Sequence, residues 1–472
     1  MSSSKLLTAP VNATLKSMTI PMLYGLVLLM SFNIVDTLYV SMLGTESLAA
    51  FSFTFPITFT LVSLAIGMGI GVSAVVAKTL GEKDKEQARQ HASVSMVLSA
   101  VLIYGLAMLG WVYQGFIFSL MGATPKNLVM IDEYMTPWLF GSLFIIMPMI
   151  GNSVMRAAGD IKTPAKVMAI GAILNTILDP IFIFGWGPIP AMGIEGAAIA
   201  SIIASTISFI FVFYKVTFTY NMLGWGYNFD QIKNSSRKVL SIALPAAASN
   251  MMTPISSSIL TAIVATYGSE AVAAFGVGSR IEAFAIIVVL ALSMTLPPFI
   301  SQNFGAGHFK RVKEAYYSSI RFVMVFQALI YAVLFMFSSM IARAFADDEK
   351  VIEIVILYLM ILPLCHGFGG ITILTNSSLN ALHRPMISVG LNVVRLFVLM
   401  LPLAYLGGYI DNVNGLIIGV SLSGVFTGIL AFIIMRINLT KLLGDCDERD
   451  DCPEHDNNLK SEQEKDKLGH TS

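Results

Sequence analysis

Two carboxylates lie where a carboxylate is costly. Asp36 falls within SFNIVDTLYVSM (31–42) and Asp179 within GAILNTILDPIFIFGWG (171–187), stretches with no Lys, Arg or Glu. If these runs cross a bilayer, a central Asp costs roughly 2.5–3.5 kcal/mol, so the acids must face something other than lipid. Each has an amide neighbour on its own helix face: Asn33 three residues before Asp36, and Asn175 four before Asp179. Burial disfavours the charged form of a carboxylate, and a second acid nearby disfavours it further. Such a group takes up and releases a proton; ionised, it binds Na⁺ or pairs with an organic cation. Pro21 precedes Asp36 by fifteen residues in the same run. Proline removes a helical backbone bond and permits a kink. The expectation is a helix that bends at Pro21 when Asp36 changes protonation.

The elements that hold these residues follow from composition. Of 472 residues, 56% are hydrophobic and 12% charged, against about 25% charged in soluble domains. This identifies a polytopic membrane protein. A net charge of zero gives no basic excess for nucleic acid. A span needs ~20 mostly apolar residues, and twelve runs meet that rule: about 16–42, 50–77, 92–120, 130–154, 165–187, 193–218, 239–266, 274–300, 316–342, 352–378, 386–409 and 413–436. Barrel strands would be shorter and would alternate, so the fold class is all-α. The first run is too long for a signal sequence and reads as a retained span. Cys365 lies in an apolar run, and Cys446, Cys452 and His455 fall in a polar tail without a zinc spacing.

Lys and Arg collect at one set of loops: Lys5 and Lys16; Lys78, Lys83, Lys85 and Arg89; Arg156, Lys162 and Lys166; Lys233, Arg237 and Lys238; Lys310, Arg311 and Lys313; and Arg384. The other side has only Lys126, Arg343 and Lys350. Both termini are therefore expected in the cytoplasm. The expected domains are a cytoplasmic segment 1–15, an N-lobe 16–218, a cytoplasmic linker 219–238, a C-lobe 239–440 and a disordered tail 441–472.

The two lobes repeat. LGTESLAAF (43–51) matches YGSEAVAAF (267–275) at an offset of 268 − 44 = 224, which also pairs Gly81 with Gly305 and Asn152 with Asn376. NSVMRAAGDIKTP (152–164) then resembles NSSLNALHRP (376–385) with three residues deleted. Six spans per half make the repeats parallel, an arrangement that favours a secondary transporter working by alternating access. The acids do not repeat. Asp36 meets Leu260, and at the shortened offset of 221 Asn175 meets Leu396 and Asp179 meets Met400. A purely architectural role would be expected in both halves, so the acids read as functional. Arg280, Glu282 and Arg395 of the second half read as structural, and the 27 Met and 30 Phe could supply an adaptable apolar pocket.

Twelve spans in parallel halves, the GTESLAAF turn, LGEKD after the second span and RAAGDIKTP after the fourth resemble the multidrug and toxic compound extrusion family over nearly the whole chain. An acid in the first span and Asn-x-x-x-Asp in the fifth are similar to its bacterial DinF-like branch. The resemblance implies a multi-pass protein of the bacterial inner membrane, active as a monomer. It would export cationic or amphipathic drugs against H⁺, with no cofactor, through Asp36, Asn33, Asn175 and Asp179, and would bend at Pro21. Na⁺ coupling and a lipid-linked oligosaccharide flippase are the alternatives. Two departures stand out. The seventh and tenth spans lack the acids of the sodium-linked branch, and Phe32 stands where some relatives have a Tyr. An intramembrane aspartyl protease also needs two membrane acids, but AAGD (157–160) lacks the first Gly of its motif. No phosphate loop supports ATP-driven transport.

Overall fold

The computed structural model describes residues 3–447, and no strand forms among them. Among the described residues, eleven helices are long and apolar enough to cross a membrane. The first seven match the first seven expected runs: Val11–Met42, Thr45–Gly81, Lys85–Leu120, Pro125–Ala157, Lys162–Phe184, Gly193–Thr219 and Phe229–Ala265. The eighth run divides into Ser269–Ala285 and Ile287–Gly305, joined at Ile286, where ψ is 0°. Phe309–Phe345 is the ninth. The tenth, Glu349–Ala381, tightens to a 3₁₀ turn over Leu362–Cys365, where Pro363 has no N–H to donate. The last two runs form one helical stretch, Pro385–Gly444, broken at Asp411 and Asn412. Asn412 sits at φ 47°, a left-handed conformation that Asn tolerates better than most residues. The break restores the expected two crossings. The last helix continues to Asp447, into the stretch expected as tail. Residues 448–472, with Cys452 and His455, lie outside the described residues.

The turns carry the duplication into the backbone. Left-handed dihedrals occur at Gly44 and Gly268, at Lys83 and Gly307, and at Gly159 and His383; each pair is 224 apart, as 307 − 83 and 383 − 159 show. Gly44 and Gly268 hold φ of 109° and 111°, values that side chains resist and glycine accepts.

Contacts divide the chain into two compact units. Unit 1 is Ser17–Val76 with Lys85–Met251; unit 2 is the segment up to Lys16, Ala77–Asp84, and the chain from Met252 on. Helices pack through small residues in both, as membrane helices do in the absence of water. In unit 1, a Cβ on Gly67 would stand 2.4 Å from the Ala243 carbonyl oxygen, and one on Gly71 2.8 Å from that of Val239. In unit 2, a Cβ on Gly81 would meet the Gln302 oxygen at 2.1 Å, and one on Gly305 the Lys78 oxygen at 2.1 Å. Since 302 − 78 is also 224, this crossing is reciprocal between repeated segments. The apolar outer faces, such as Val97, Val101, Leu109, Val112 and Phe116 of the third helix, are exposed, as lipid-facing residues must be.

The polar loops of unit 1 are tied to helix ends. Arg89 Nε donates to the Leu223 carbonyl at 2.8 Å, and the Gly224 N–H donates to Ser93 Oγ at 2.8 Å. This fixes the start of the connection between the sixth and seventh helices. Asp160, in the loop before the fifth helix, accepts from Thr163 Oγ1 at 2.5 Å, from the Thr163 N–H at 3.1 Å, and from the Tyr220 hydroxyl. Burial alone would push the Asp160 carboxyl up, but these donors outweigh it and hold it below the usual carboxylate range. Burial, then the hydrogen bond to Asp160 and its charge, push the Tyr220 phenol up to about 12.

Two predictions follow from packing and from this latch. Gly305→Ala forces two backbones apart and should lower stability by about 1–3 kcal/mol, read as a fall in the thermal midpoint of the detergent-solubilised protein. Gly276→Ala, with nothing within 4 Å of the added methyl, should be neutral or slightly stabilising. Tyr220→Phe should cost about 1 kcal/mol at neutral pH, given the half-exposed setting. Because the folded Asp160 carboxyl lies low, its contribution is complete above about pH 4 and fades as pH falls through its folded value. On the alkaline side, the raised Tyr220 phenol keeps its contribution below about pH 10 and loses it as pH rises through about 12. Thermal midpoints of wild type and Tyr220→Phe should therefore differ by a constant amount at mid pH and converge at both extremes.

Candidate functional site

The fifth helix of unit 1 presents Asn175 and Asp179 on one buried face. Asn175 Nδ2 donates to Asp179 Oδ1 at 2.6 Å, and Ser201 Oγ of the sixth helix donates to Asn175 Oδ1 at 3.2 Å. Ser201 comes within reach because the sixth helix closes on the fifth at Gly196, where a Cβ would lie 2.4 Å from the Phe182 oxygen. Asp179 has no exposed surface, and its Oδ2 has no hydrogen-bond partner. One oxygen of the carboxylate is thus fixed by a donor, and the other is buried without a hydrogen-bond partner.

Asp36 is half-buried on the first helix and interacts electrostatically with Asp179. Both acids act on Tyr134 of the fourth helix, a buried side chain with Phe51 edge-on at 5.2 Å. Asn175 and Asp179 are thus hydrogen-bonded, and Asp36 stands within electrostatic reach of Asp179. Asn33 is the exception among the expected site residues: its side chain lies outside the described residues. Pro21 is four turns away on the first helix and half-buried. One turn beyond it, Gly25 approaches the Ala165 backbone, with a Cβ-to-oxygen distance of 3.2 Å. Only 18% of the apolar window of this helix is buried, against 67% and 72% in the second and fourth, so packing constrains its shape least.

Tyr134 and Ser201 were not legible as site residues from motifs. The repeat carried a signal for Tyr134. Tyr358 lies 224 residues on, and Phe275, the counterpart of Phe51, stands edge-on to it at 5.3 Å. In unit 2 the acid at this tyrosine is Glu282 of the eighth span, whose Oε2 accepts from the Tyr358 hydroxyl at 2.9 Å. Glu282 therefore pairs with Tyr358 and not with Arg280, which is exposed. Leu260, the counterpart of Asp36, packs into the apolar cluster of Val264, Ala271, Ala404 and Leu416. Among the described residues no group of three or more His, Cys, Asp or Glu is arranged to hold a metal ion.

The model of one family, MatE, matches the chain twice, over residues 21–181 and 245–406. The chain belongs to the MatE family. The matches begin 245 − 21 = 224 residues apart, the offset of the repeat. A Shewanella oneidensis protein described as a FAD transporter is 40% identical over 91% of this chain and 96% of its own length. The Vibrio cholerae MATE transporter VcmN, solved in a form described as bent, is 32% identical, covers 93% of this chain and 98% of its own, and superposes with a TM-score of 0.88. The probable multidrug resistance protein YpnP of Bacillus subtilis is 24% identical over 90% of this chain and 95% of its own. The resemblance read from the motifs is that of the MatE family, and the chain is a multi-pass membrane protein with the MATE transporter fold.

The amide–acid pair generates a test of its own. Asn175→Ala leaves Asp179 buried without a donor and should cost about 1–3 kcal/mol. Asn175→Ala with Asp179→Ala should cost less than the sum of the single changes. Thermal midpoints of the four proteins in one detergent measure the coupling; simple additivity would show that the pair does not act as a unit.

Proposed function

We propose that the chain is a secondary exporter that carries cationic or amphipathic organic compounds out across the bacterial plasma membrane in exchange for H⁺. It acts as a monomer with both termini in the cytoplasm. The observation that carries this reading is Asp179, fully buried, held at Oδ1 by Asn175 and without a hydrogen-bond partner at Oδ2. An intramembrane carboxylate marks an ion pathway by default. A buried oxygen without a hydrogen-bond partner, beside a second acid, suits a proton. In this scheme Asp36 and Asp179 share the titration, Asn33 and Asn175 tune it, and the first helix bends at Pro21 as protons bind. The VcmN form described as bent supports a bending step. Multidrug resistance relatives support drug-like cargo, as does the likeness to the DinF-like branch at Asp36 and Asp179.

A second cargo reading rests on a separate observation. The relative described as a FAD transporter is 40% identical over 91% of this chain, which supports a flavin dinucleotide among the exported compounds.

Asp36→Asn keeps the shape of the side chain and removes its charge. Expressed in an efflux-deficient host, it should lose drug protection by roughly tenfold or more, as expected when a general ion-coupling group is removed, while reaching the membrane in normal amounts. Wild-type proteoliposomes should drive dye transport under an imposed pH gradient and not under a sodium gradient. Full protection by Asp36→Asn would end the carboxylate-coupled reading, and sodium-driven flux would move it to the sodium alternative.

A further inference from the structure

Asp179 has no exposed surface, whereas Asp36 is half-buried. Something in unit 1 keeps Asp179 dry. Alternate spans of a chain run the same way across a membrane, so the first helix, Val11–Met42, and the fifth, Lys162–Phe184, point in one direction. Tyr39 lies three residues beyond Asp36, and Phe184 five beyond Asp179, about 4.5 Å and 7.5 Å further along their axes. The two rings meet edge to face, with centroids 6.3 Å apart and planes at 76°, the geometry of a favourable aromatic pair. The contact joins the two acid-bearing helices on the C-terminal side of both acids.

The layer beside the rings is apolar and closed. Val40, next to Tyr39, and Ile183, one turn beyond Asp179, are buried and belong to one core cluster with Ile194 and Ala197, against which Tyr39 packs. The turn after the fifth helix fixes Phe184. Gly185 takes φ 84°, and the Met192 N–H donates back to the Phe182 carbonyl at 3.0 Å. A Cβ on Gly185 would stand 2.8 Å from the Ala191 backbone nitrogen, so the loop is seated against the helix end. Trp186 and Ile189 exchange two backbone hydrogen bonds of 3.1 Å across Gly187 and Pro188. The repeat acts as a control. Tyr39 corresponds to Ile263 (263 − 39 = 224) and Phe184 to Tyr405 (405 − 184 = 221). The half with Leu260 and Met400 in place of the acids thus has no aromatic pair at these positions. Ring pair and acids occur together in unit 1.

We propose that Tyr39 and Phe184 form an aromatic gate over Asp179: while their rings touch, water on the outer side has no path to this carboxyl, and Asp179 exchanges its proton outward only when they part. Val40 and Ile183 behind the rings have no polar side-chain atom to lead water inward. Phe184 is 42% exposed, so one member of the pair already borders the outside of the packed layer and can leave it without unpacking the core. A lone aromatic contact is weak enough to open and close repeatedly. Calling this side the outer one, and the ion a proton, rests on the exporter reading with both termini in the cytoplasm; the closure over Asp179 does not.

The full-length protein in detergent is treated with a water-soluble carbodiimide and an amine, and amide formation at Asp36 and Asp179 is followed by peptide mass spectrometry. In wild type Asp179 should react more slowly than Asp36. Tyr39→Ala and Phe184→Ala should each speed the reaction at Asp179 several-fold, up to about tenfold, as expected when a contact that opposes local opening is lost. Phe184→Ala should leave the rate at Asp36 unchanged. Tyr39→Phe, which keeps the ring, should react as wild type does, and Leu38→Ala, at an exposed side chain beside Tyr39, should not alter Asp179. Unchanged labelling of Asp179 in both alanine variants, equal acceleration of Asp36 in Phe184→Ala, or the same acceleration of Asp179 in Leu38→Ala would each overturn the proposal. So would wild-type Asp179 reacting as fast as Asp36, a comparison that needs no variant to fold. Labelling requires no transport: a wild type that fails to export under a pH gradient would sink the exporter reading and leave the closure over Asp179 standing.

Discussion

An ionisable group inside hydrocarbon must find protein, water or a ligand to face. Asp179 meets that demand through Asn175 and Glu282 through Tyr358, and each unit carries a tyrosine held edge-on by a phenylalanine, Tyr134 with Phe51 and Tyr358 with Phe275. The aromatic pair supplies an apolar wall and a hydroxyl beside it, a combination suited to the boundary between packed helices and a polar group. In unit 1 the acids arrive from the first and fifth helices; in unit 2 a single acid arrives from the eighth span and takes the hydroxyl hydrogen bond. The chemistry of each unit is set by what surrounds a shared tyrosine.

Duplication explains why so much backbone is the same. Left-handed turns at Gly44, Lys83 and Gly159 recur at Gly268, Gly307 and His383. The helix crossing at Gly81 and Gly305 is reciprocal. The crossing is steric: a Cβ at either Gly81 or Gly305 meets a backbone oxygen at 2.1 Å. The polar residues face no such constraint: exchanging Asp36 for the Leu260 type keeps a helix a helix. Scaffold and chemistry therefore diverged at different rates between the halves, and positions where the repeat fails are where function is to be sought.

That division also sets what was legible in the sequence. Span number, helical class and repeat offset follow from hydropathy and from glycine spacing, because both reflect local geometry. The split of the eighth span at Ile286, the 3₁₀ turn at Pro363 and the continuous helical stretch across the last two runs were not readable, since runs of apolar residues look alike whether or not the backbone breaks within them. Asn175 and Asp179 were found because four-residue spacing puts them on one face. Ser201 was not, because its contact depends on how closely Gly196 lets two helices approach. Glu282 and Arg395 were seen but read as structural; only the position of Tyr358, distant in sequence, shows that the Glu282 carboxylate is engaged.

The contrast between the two units bears on how one transporter could accept cargo of mixed charge. A site of acids alone favours cations and repels phosphoryl groups, by several kcal/mol when desolvated. A site of cations alone does the reverse. Unit 1 carries the buried Asp179 and the half-buried Asp36, and unit 2 carries Glu282, His366 and Arg395, so the two units differ in the charges they hold. The difference between the units lies in their polar side chains, set on turns that the repeat keeps alike.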